Sequence, residues 1–305
     1  MKLRAPLQLA LAVAMSSQLS AQAAGSLPRV LELPASTRAM ALGDAYMMNA
    51  GHADALFYHP ALLVSARGFG LEIQSWGGQS SAAAVSAATQ WKGGGIGIGL
   101  LTLQYGAPGQ GVAAAPTGQD HLFQLGPSPV SERVAMIGYA RELFGIDFGV
   151  AGKLIDERVG MARQSKTMVD LGAVTDVGPV RVGLTIRDWG HDPIVLDAGS
   201  TPRVVLGAGS YGRQLGVFDI GLTGAANWSE DRTTISGGLE VGYWPIRGRT
   251  FVARVGLQDP PAGSELSPVS MGFAFWGDDI TVEWAFRPYA GTESTGTHRF
   301  GLRWR

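Results

Sequence analysis

From Gly68 to the end of the chain, apolar residues alternate with small or polar ones at a period of two, and this restricts the fold more than any other feature. A period of two marks a strand whose two faces meet different media. Val180, Val182, Leu184 and Ile186 share one face, with Arg181, Gly183, Thr185 and Arg187 on the other. The same split recurs with Ile280, Val282, Trp284 and Phe286 against Thr281, Glu283, Ala285 and Arg287, and with Val269, Met271, Phe273 and Phe275 against Ser270, Gly272, Ala274 and Trp276. Fourteen such segments centre near residues 72, 86, 100, 136, 150, 170, 183, 206, 221, 237, 253, 271, 284 and 300. An even number is what a closed bacterial barrel requires. The 239 residues after Ala66 allow about 17 per segment with its connection, room for the roughly 9 to 11 residues of a tilted spanning strand.

The connections sort by parity. Tight turns are expected at Trp91 to Gly95, Leu143 to Gly145, Gly178 with Pro179, Arg213 with Gln214, Pro245 to Gly248, and Gly277 with Asp278, each after an even-numbered segment. Most of the others are longer: Gly106 to Val130, Glu157 to Arg163, Asp188 to Thr201, Asp259 to Leu266 and Tyr289 to Thr295. Short turns at one end and long loops at the other describe an outer-membrane barrel, whereas a soluble sandwich has no reason to sort them. Trp76, Trp91, Tyr105, Trp189, Tyr211, Trp228, Tyr243, Trp244, Trp276, Tyr289 and Trp304 fall near segment ends, where amphipathic rings suit the headgroup level.

Composition agrees. Charged residues are 16% of the chain, against about 25% in soluble domains, while 44 glycines in 305 residues are twice the usual share of roughly 7%. Glycines on the inward face, such as Gly97, Gly99, Gly183, Gly238, Gly272 and Gly301, leave volume that a plug or a ligand must fill. The 24 basic and 25 acidic residues give no footprint for nucleic acid. The absence of cysteine excludes disulfides and thiolate chemistry.

Residues 1–23 read as a secretory signal: Lys2 and Arg4, an apolar stretch from Ala5 to Met15, then Ala21-Gln22-Ala23. The apolar stretch is too short for a membrane span, which needs about 20 residues. Residues 24–66 do not alternate, and residues 67–305 form the expected barrel. Within the middle stretch, small residues with Met and Leu suggest one or two short helical turns, the second stopped by Pro60.

That stretch carries Arg38-Ala39-Met40-Ala41-Leu42-Gly43-Asp44-Ala45-Tyr46 and, after a spacer, Ala55-Leu56-Phe57-Tyr58-His59-Pro60-Ala61-Leu62. The pair of runs resembles the amino-terminal signature of the PorV/PorQ outer-membrane proteins, relatives of the FadL fatty-acid transporters. His59 stands where that family usually has Asn, and Asp44 where a small residue is commoner. The resemblance implies a fourteen-stranded antiparallel barrel in a Gram-negative-type outer membrane, with residues 24–66 folded into it as a hatch that includes Arg38, Leu42, Tyr46, Phe57, Tyr58, His59 and Pro60. It implies a non-enzymatic activity: passage of hydrophobic or amphipathic small molecules or, alternatively, service to type IX-like protein secretion or surface attachment. Outer-membrane lipids would be partners in either case, with small molecules or secretion proteins besides, and no cofactor or nucleic acid. A plug with no ligand role stays open beside the hatch.

Residues that could carry chemistry are few. Gly207-Ala208-Gly209-Ser210-Tyr211-Gly212 matches a dinucleotide fingerprint, but a strand-like run follows in place of the helix that would hold a pyrophosphate. The histidines at 52, 59, 121, 191 and 298 show no metal-ligand spacing and read as scattered surface or loop residues. The inward face carries Asp147, Lys153, Asp170, Arg181, Arg187, Asp219, Glu240, Arg254, Glu283, Arg287, Arg299 and Arg303. These form either a ladder of ion pairs, with Glu283 in reach of Arg299 or Arg303, or an arginine cradle for an anionic headgroup. Arg254, Arg287, Arg299 and Arg303 are the candidates for the second role. Leu122, Phe123 and Leu125, beside His121 in the longest loop, are either an apolar lid or, by the resemblance, a landing site for a ligand. Phe300, Leu302 and Trp304 alternate as a terminal assembly strand should, although the chain ends in Arg305.

Overall fold

The computed structural model describes residues 28–46, 51–75, 80–105, 130–159, 162–191, 199–200, 202–230, 232–246, 249–260, 266–289 and 296–305. The expected signal segment and the loop bearing His121, Leu122, Phe123 and Leu125 lie outside them.

The strands are β1 (Gly68–Ser75), β2 (Ser81–Trp91), β3 (Gly94–Tyr105), β4 (Val130–Leu143), β5 (Ile146–Val159), β6 (Ala162–Val177), β7 (Val180–His191), β8 (Gly199–Ser200), β9 (Arg203–Leu215), β10 (Phe218–Trp228), β11 (Thr233–Ile246), β12 (Arg249–Gln258), β13 (Val269–Trp276), β14 (Ile280–Arg287) and β15 (Thr297–Trp304). All pairings are antiparallel between chain neighbours, with β7 pairing β9, and β15 returns to β1 with Phe69 opposite Trp304 and Ser75 opposite His298. The two-residue β8 pairs only with the end of β7. Fourteen strands therefore close a ring, and every expected segment centre falls inside one of them. Closure leaves no edge of unpaired N–H and C=O groups for hydrocarbon to face.

The outer surface is apolar. Ile73, Ile98, Ile137, Leu154, Ile235, Phe273, Phe300 and Leu302 all point away from the bore and are exposed. Such a belt would drive aggregation in water but matches a bilayer interior. Among the described residues no helix is long and apolar enough to cross a membrane.

At the short-turn end, Lys92–Gly93 and Phe144–Gly145 both take two successive positive φ angles, the backbone whose twist matches that of a two-stranded hairpin. One expected turn is displaced. β9 continues through Arg213 and Gln214 to Leu215, and the reversal occurs at Gly216, where φ is +66°. A glycine takes that conformation without a Cβ clash, and Arg213 and Gln214 have no such advantage.

Residues 28–46 and 51–66 pack inside the ring. They form 3-10 turns at Arg29–Leu31, Ala53–Phe57 and Pro60–Val64, and one helix, α1 (Thr37–Ala41), capped by Ser36, whose hydroxyl accepts from Ala39 N at 3.4 Å. Pro60 ends the second expected turn and also opens a third, because its fixed φ suits a first helical position.

Candidate functional site

The inner segment meets two different walls. Toward β2–β6 the contact of residues 53–63 is apolar: Leu56, Phe57, Leu62 and Leu63 are fully buried in one cluster with Val134, Met136, Ala151 and Ile155, while at the start of the segment Val30 N donates to Glu132 Oε2 on β4 at 2.7 Å. Inward glycines make the approach possible. Gly97 faces Gly138 across β3 and β4, and Gly149 faces Gly172 across β5 and β6. A methyl at Gly95 would overlap the carbonyl of Leu63, and one at Gly149 would overlap the backbone of Pro60 and Ala61. The volume left by these glycines is thus filled by backbone, by leucine side chains and, over Gly172, by the His59 ring.

Toward β11–β15 and β1 the contact is ionic. Arg38 of α1 holds Glu240 with Nη2–Oε1 at 2.7 Å and Nε–Oε2 at 3.0 Å. Glu240 also accepts from Arg254 Nε at 2.6 Å, and Arg254 Nη1 lies 2.8 Å from Glu283 Oε1. Arg303 Nη2 closes the chain on Glu283 Oε2 at 2.8 Å, Asp54 Oδ2 at 2.8 Å and Glu72 Oε1 at 3.2 Å. Glu72 in turn accepts from Thr37 N at 2.8 Å and from the Thr37 hydroxyl. Arg299 donates to Gln74 Oε1 and to the carbonyl of Ala35, both at 2.7 Å. All the charged members are buried. Within the segment itself, Tyr46 donates to Asp54 at 2.7 Å and stacks on Tyr58 at 4.5 Å, and the Tyr58 oxygen accepts from Ala35 N and Ser36 N.

Of the candidate arginines, 254, 299 and 303 thus each meet a carboxylate or carbonyl of the inner segment or wall. Arg287 stands apart near the loop end, donating to Ser267 O and Gln258 Oε1 at 2.8 Å. Of the two partners expected for Glu283, Arg303 is the one it meets. Lys153 and Asp170 join a second cluster in which Lys153 lies 2.7 Å from Asp170 and 2.5 Å from Asp188, which also pairs with Arg203. Asp147, Arg181 and Asp219 are only half-buried near the short turns.

Two of the five histidines depart from the expected surface placement. His52 and His59 are buried because the stretch that carries them lies in the bore. Burial, reinforced by nearby Arg187, pushes His59 down to about 3, and burial holds His52 well below its ordinary value. The His59 ring rests over Gly172, and among the described residues neither nitrogen has a hydrogen-bond partner. Burial also raises the carboxyl of Asp44.

Sequence reasoning passed over Glu72, Glu132, Asp188 and Arg203. Glu72 lay within reach, since Gly70, Glu72 and Gln74 alternate with outward Leu71 and Ile73. Asp188 did not: a bulge opposite Asp170 gives it a φ of +60° and reverses its face.

Beside the inner segment an enclosed, polar cavity lined in part by Asp44, Tyr58, Lys153, Arg187 and Arg203 holds about 30 Å³. That is room for water, far below the roughly 300 Å³ at which small-molecule pockets begin.

No family model and no curated protein matches the chain. Solved structures do. The toluene transporter TbuX of Ralstonia pickettii aligns with a TM-score of 0.53 at 11% identity, covering 88% of this chain and 97% of that one. The deltaS2 mutant of the TodX monoaromatic hydrocarbon channel aligns with a TM-score of 0.52 at 12% identity, covering 86% of this chain and 96% of that one. The chain is an outer-membrane β-barrel. At such identity the likeness establishes fold, and the PorV/PorQ resemblance rests on the motif of residues 38–62 alone.

Proposed function

We propose that the protein admits hydrophobic or amphipathic small molecules across the outer membrane in the manner of FadL-like barrels, with the inner segment as its hatch. The observation that carries this reading is a bore sealed by a segment that is ionic on one flank and apolar on the other. An open porin needs no such filling, and the cavity beside the inner segment, among the described residues, holds only about 30 Å³. Passage therefore requires the segment to shift, and the apolar flank is where an apolar solute can replace the contacts it displaces. TbuX and TodX, whose names describe a toluene transporter and a monoaromatic hydrocarbon channel, share the fold and support the choice of solute. Leu122, Phe123 and Leu125 are the proposed landing site, and Arg287, placed near the loop end, the candidate to meet an anionic headgroup on entry. The secretion-type alternative gains nothing from the bore. Uptake into cells decides: expression should raise entry of a monoaromatic hydrocarbon or a medium-chain fatty acid, and deletion of Leu122 to Leu125 should reduce it. Faster entry of hydrophilic sugars, with no gain for hydrophobic solutes, would overturn the reading.

A further inference from the structure

The small cavity beside the inner segment is polar on one side and apolar on the other. Arg187 and Asn227 line it from β7 and β10, together with Asp44 of the inner segment. Lys153 and Arg203 reach it too, but Asp170 and Asp188 already hold them. Asp44 Oδ1, Arg187 Nε and Asn227 Oδ1 are buried with no hydrogen-bond partner among the described residues. Each atom left so costs about 1–3 kcal/mol, and three in the walls of one cavity call for a molecule that satisfies them together. One donor and two acceptors match a hydroxyl group, which accepts one hydrogen bond and donates another.

The apolar side already holds a ring. Phe57 lies so close to Gly99 of β3 that a Cβ there would come within 2.4 Å of Phe57 Cε1 and 2.8 Å of Cζ. Gly99 stands opposite Met136 of β4, and Leu101 follows on the same inward face of β3. Phe57, Leu101 and Met136 belong both to the apolar cluster and to the cavity lining, so the ring and the cavity adjoin. Arg187 Nη2 donates to the Phe57 carbonyl at 2.8 Å, which ties the two sides together. The cavity of about 30 Å³ has room for one or two waters. A six-membered ring beside a space of that size has the outline of a phenol.

We infer that the bore contains a site for a neutral, single-ring phenol, and that Phe57 holds the place of the aryl ring until the solute arrives. The site rests on the proposed passage, in which the apolar flank of the hatch yields. When it does, Phe57 leaves Gly99, the ring seat joins the cavity, and the solute's ring settles against Leu101 and Met136. Its hydroxyl accepts from Arg187 Nε and donates to Asp44 Oδ1, both charge-assisted bonds. A carboxylate in the same place would meet Arg187 but also face Asp44, a like charge. A plain hydrocarbon fills the ring seat and leaves the polar atoms unpaired, the mismatch by which a hydrogen-bonding site rejects an analogue that lacks the hydroxyl.

Fluorine NMR titration of the full barrel in mild detergent with para-fluorophenol, fluorobenzene and para-fluorobenzoate tests this. Phe57→Ala, which empties the ring seat, should bind para-fluorophenol about tenfold more tightly than the unmodified barrel. In that background Arg187→Met should weaken para-fluorophenol about tenfold, as loss of one charge-assisted bond implies, and leave fluorobenzene unchanged. Comparing each probe with itself across variants cancels its partition into detergent. Phe144→Ala removes a ring from a fully exposed turn and should change nothing. Heat-dependent gel migration verifies folding, and Phe57→Val takes the place of Phe57→Ala if the latter does not fold. Unchanged para-fluorophenol affinity on emptying the seat, equal losses of para-fluorophenol and fluorobenzene in Arg187→Met, or a larger loss of para-fluorobenzoate would overturn the inference. Any of these beside intact hydrocarbon uptake by cells removes the phenol site and leaves the passage standing. Phenol selectivity beside no uptake of any hydrophobic solute keeps the site and removes the passage.

Discussion

The two flanks of the bore hold residues 37–63 of the inner segment by largely opposite means. On the β11–β15 and β1 side, charges bridge α1 to the wall through Arg38, Glu240, Arg254, Glu283 and Arg303. On the β2–β6 side, Leu56, Phe57, Leu62 and Leu63 lie on glycine-lined strands. Buried ion pairs are directional, and breaking one strands a charge; apolar contacts are not directional, and another apolar surface can replace them. The ionic flank therefore fixes where the segment sits, and the apolar flank is the one that can yield to a solute and close again.

Substitutions on each flank can break this contrast. The largest effect is expected from Arg303→Met, which leaves Asp54, Glu72 and Glu283 without their shared cation. A loss of about 3–5 kcal/mol should lower the midpoint of heat-dependent gel migration, and an unchanged midpoint would show that the network does not hold the segment. Leu63→Ala should cost about 3 kcal/mol through the cavity it leaves. The loss should appear as protease access to residues 53–64 and a rise in hydrophobic uptake, with the strands intact; global unfolding would refute local yielding. A pair of wedges sharpens the comparison at about 2 kcal/mol each. Gly95→Ala strikes the Leu63 carbonyl on the apolar flank, and Gly256→Ala strikes the backbone of Leu42 and Gly43 on the ionic flank. In planar bilayers the first should raise ion leakage more than the second.

The smallest effect is on pH. His59 is held at about 3, below its free value of about 6.5, so its contribution to docking is whole above about 6.5 and is lost as pH falls toward 3. At pH 5.5 the loss from this group is about 1.4 kcal/mol. His59→Asn should flatten the slope measured by protease access, and an identical slope would move the effect to His52.

The ring was legible because lipid outside and a packed bore inside impose a strict period of two on strands such as Val269–Trp276 and Ile280–Arg287. The tight turns were legible where glycine marks them, as at Gly145 and Gly178, and misplaced where Gly216 followed Arg213 and Gln214. Hairpin register put Glu283 within reach of Arg299 or Arg303, and Arg303 is the one it meets. The path of residues 28–46 and 51–66 did not, because its turns are short and partners lie more than a hundred residues away, as with Arg38 and Glu240 or Val30 and Glu132. The burial of His52 and His59 was hidden for the same reason.

The natural lack of cysteine allows the central claim to be tested by locking each flank in turn. Cysteines replacing Leu63 and Gly97 would bridge the apolar flank, where a Cβ at Gly97 would lie 2.7 Å from Leu63 Cδ2; cysteines replacing Thr37 and Gly301 would bridge the ionic flank, where a Cβ at Gly301 would lie 2.8 Å from Thr37 Oγ1. Uptake of a monoaromatic hydrocarbon by cells carrying each pair, before and after reduction, is the measurement. The apolar-flank bridge should stop uptake until it is reduced, and the ionic-flank bridge should leave uptake near that of the unmodified barrel. Full uptake with the apolar flank locked would contradict the account.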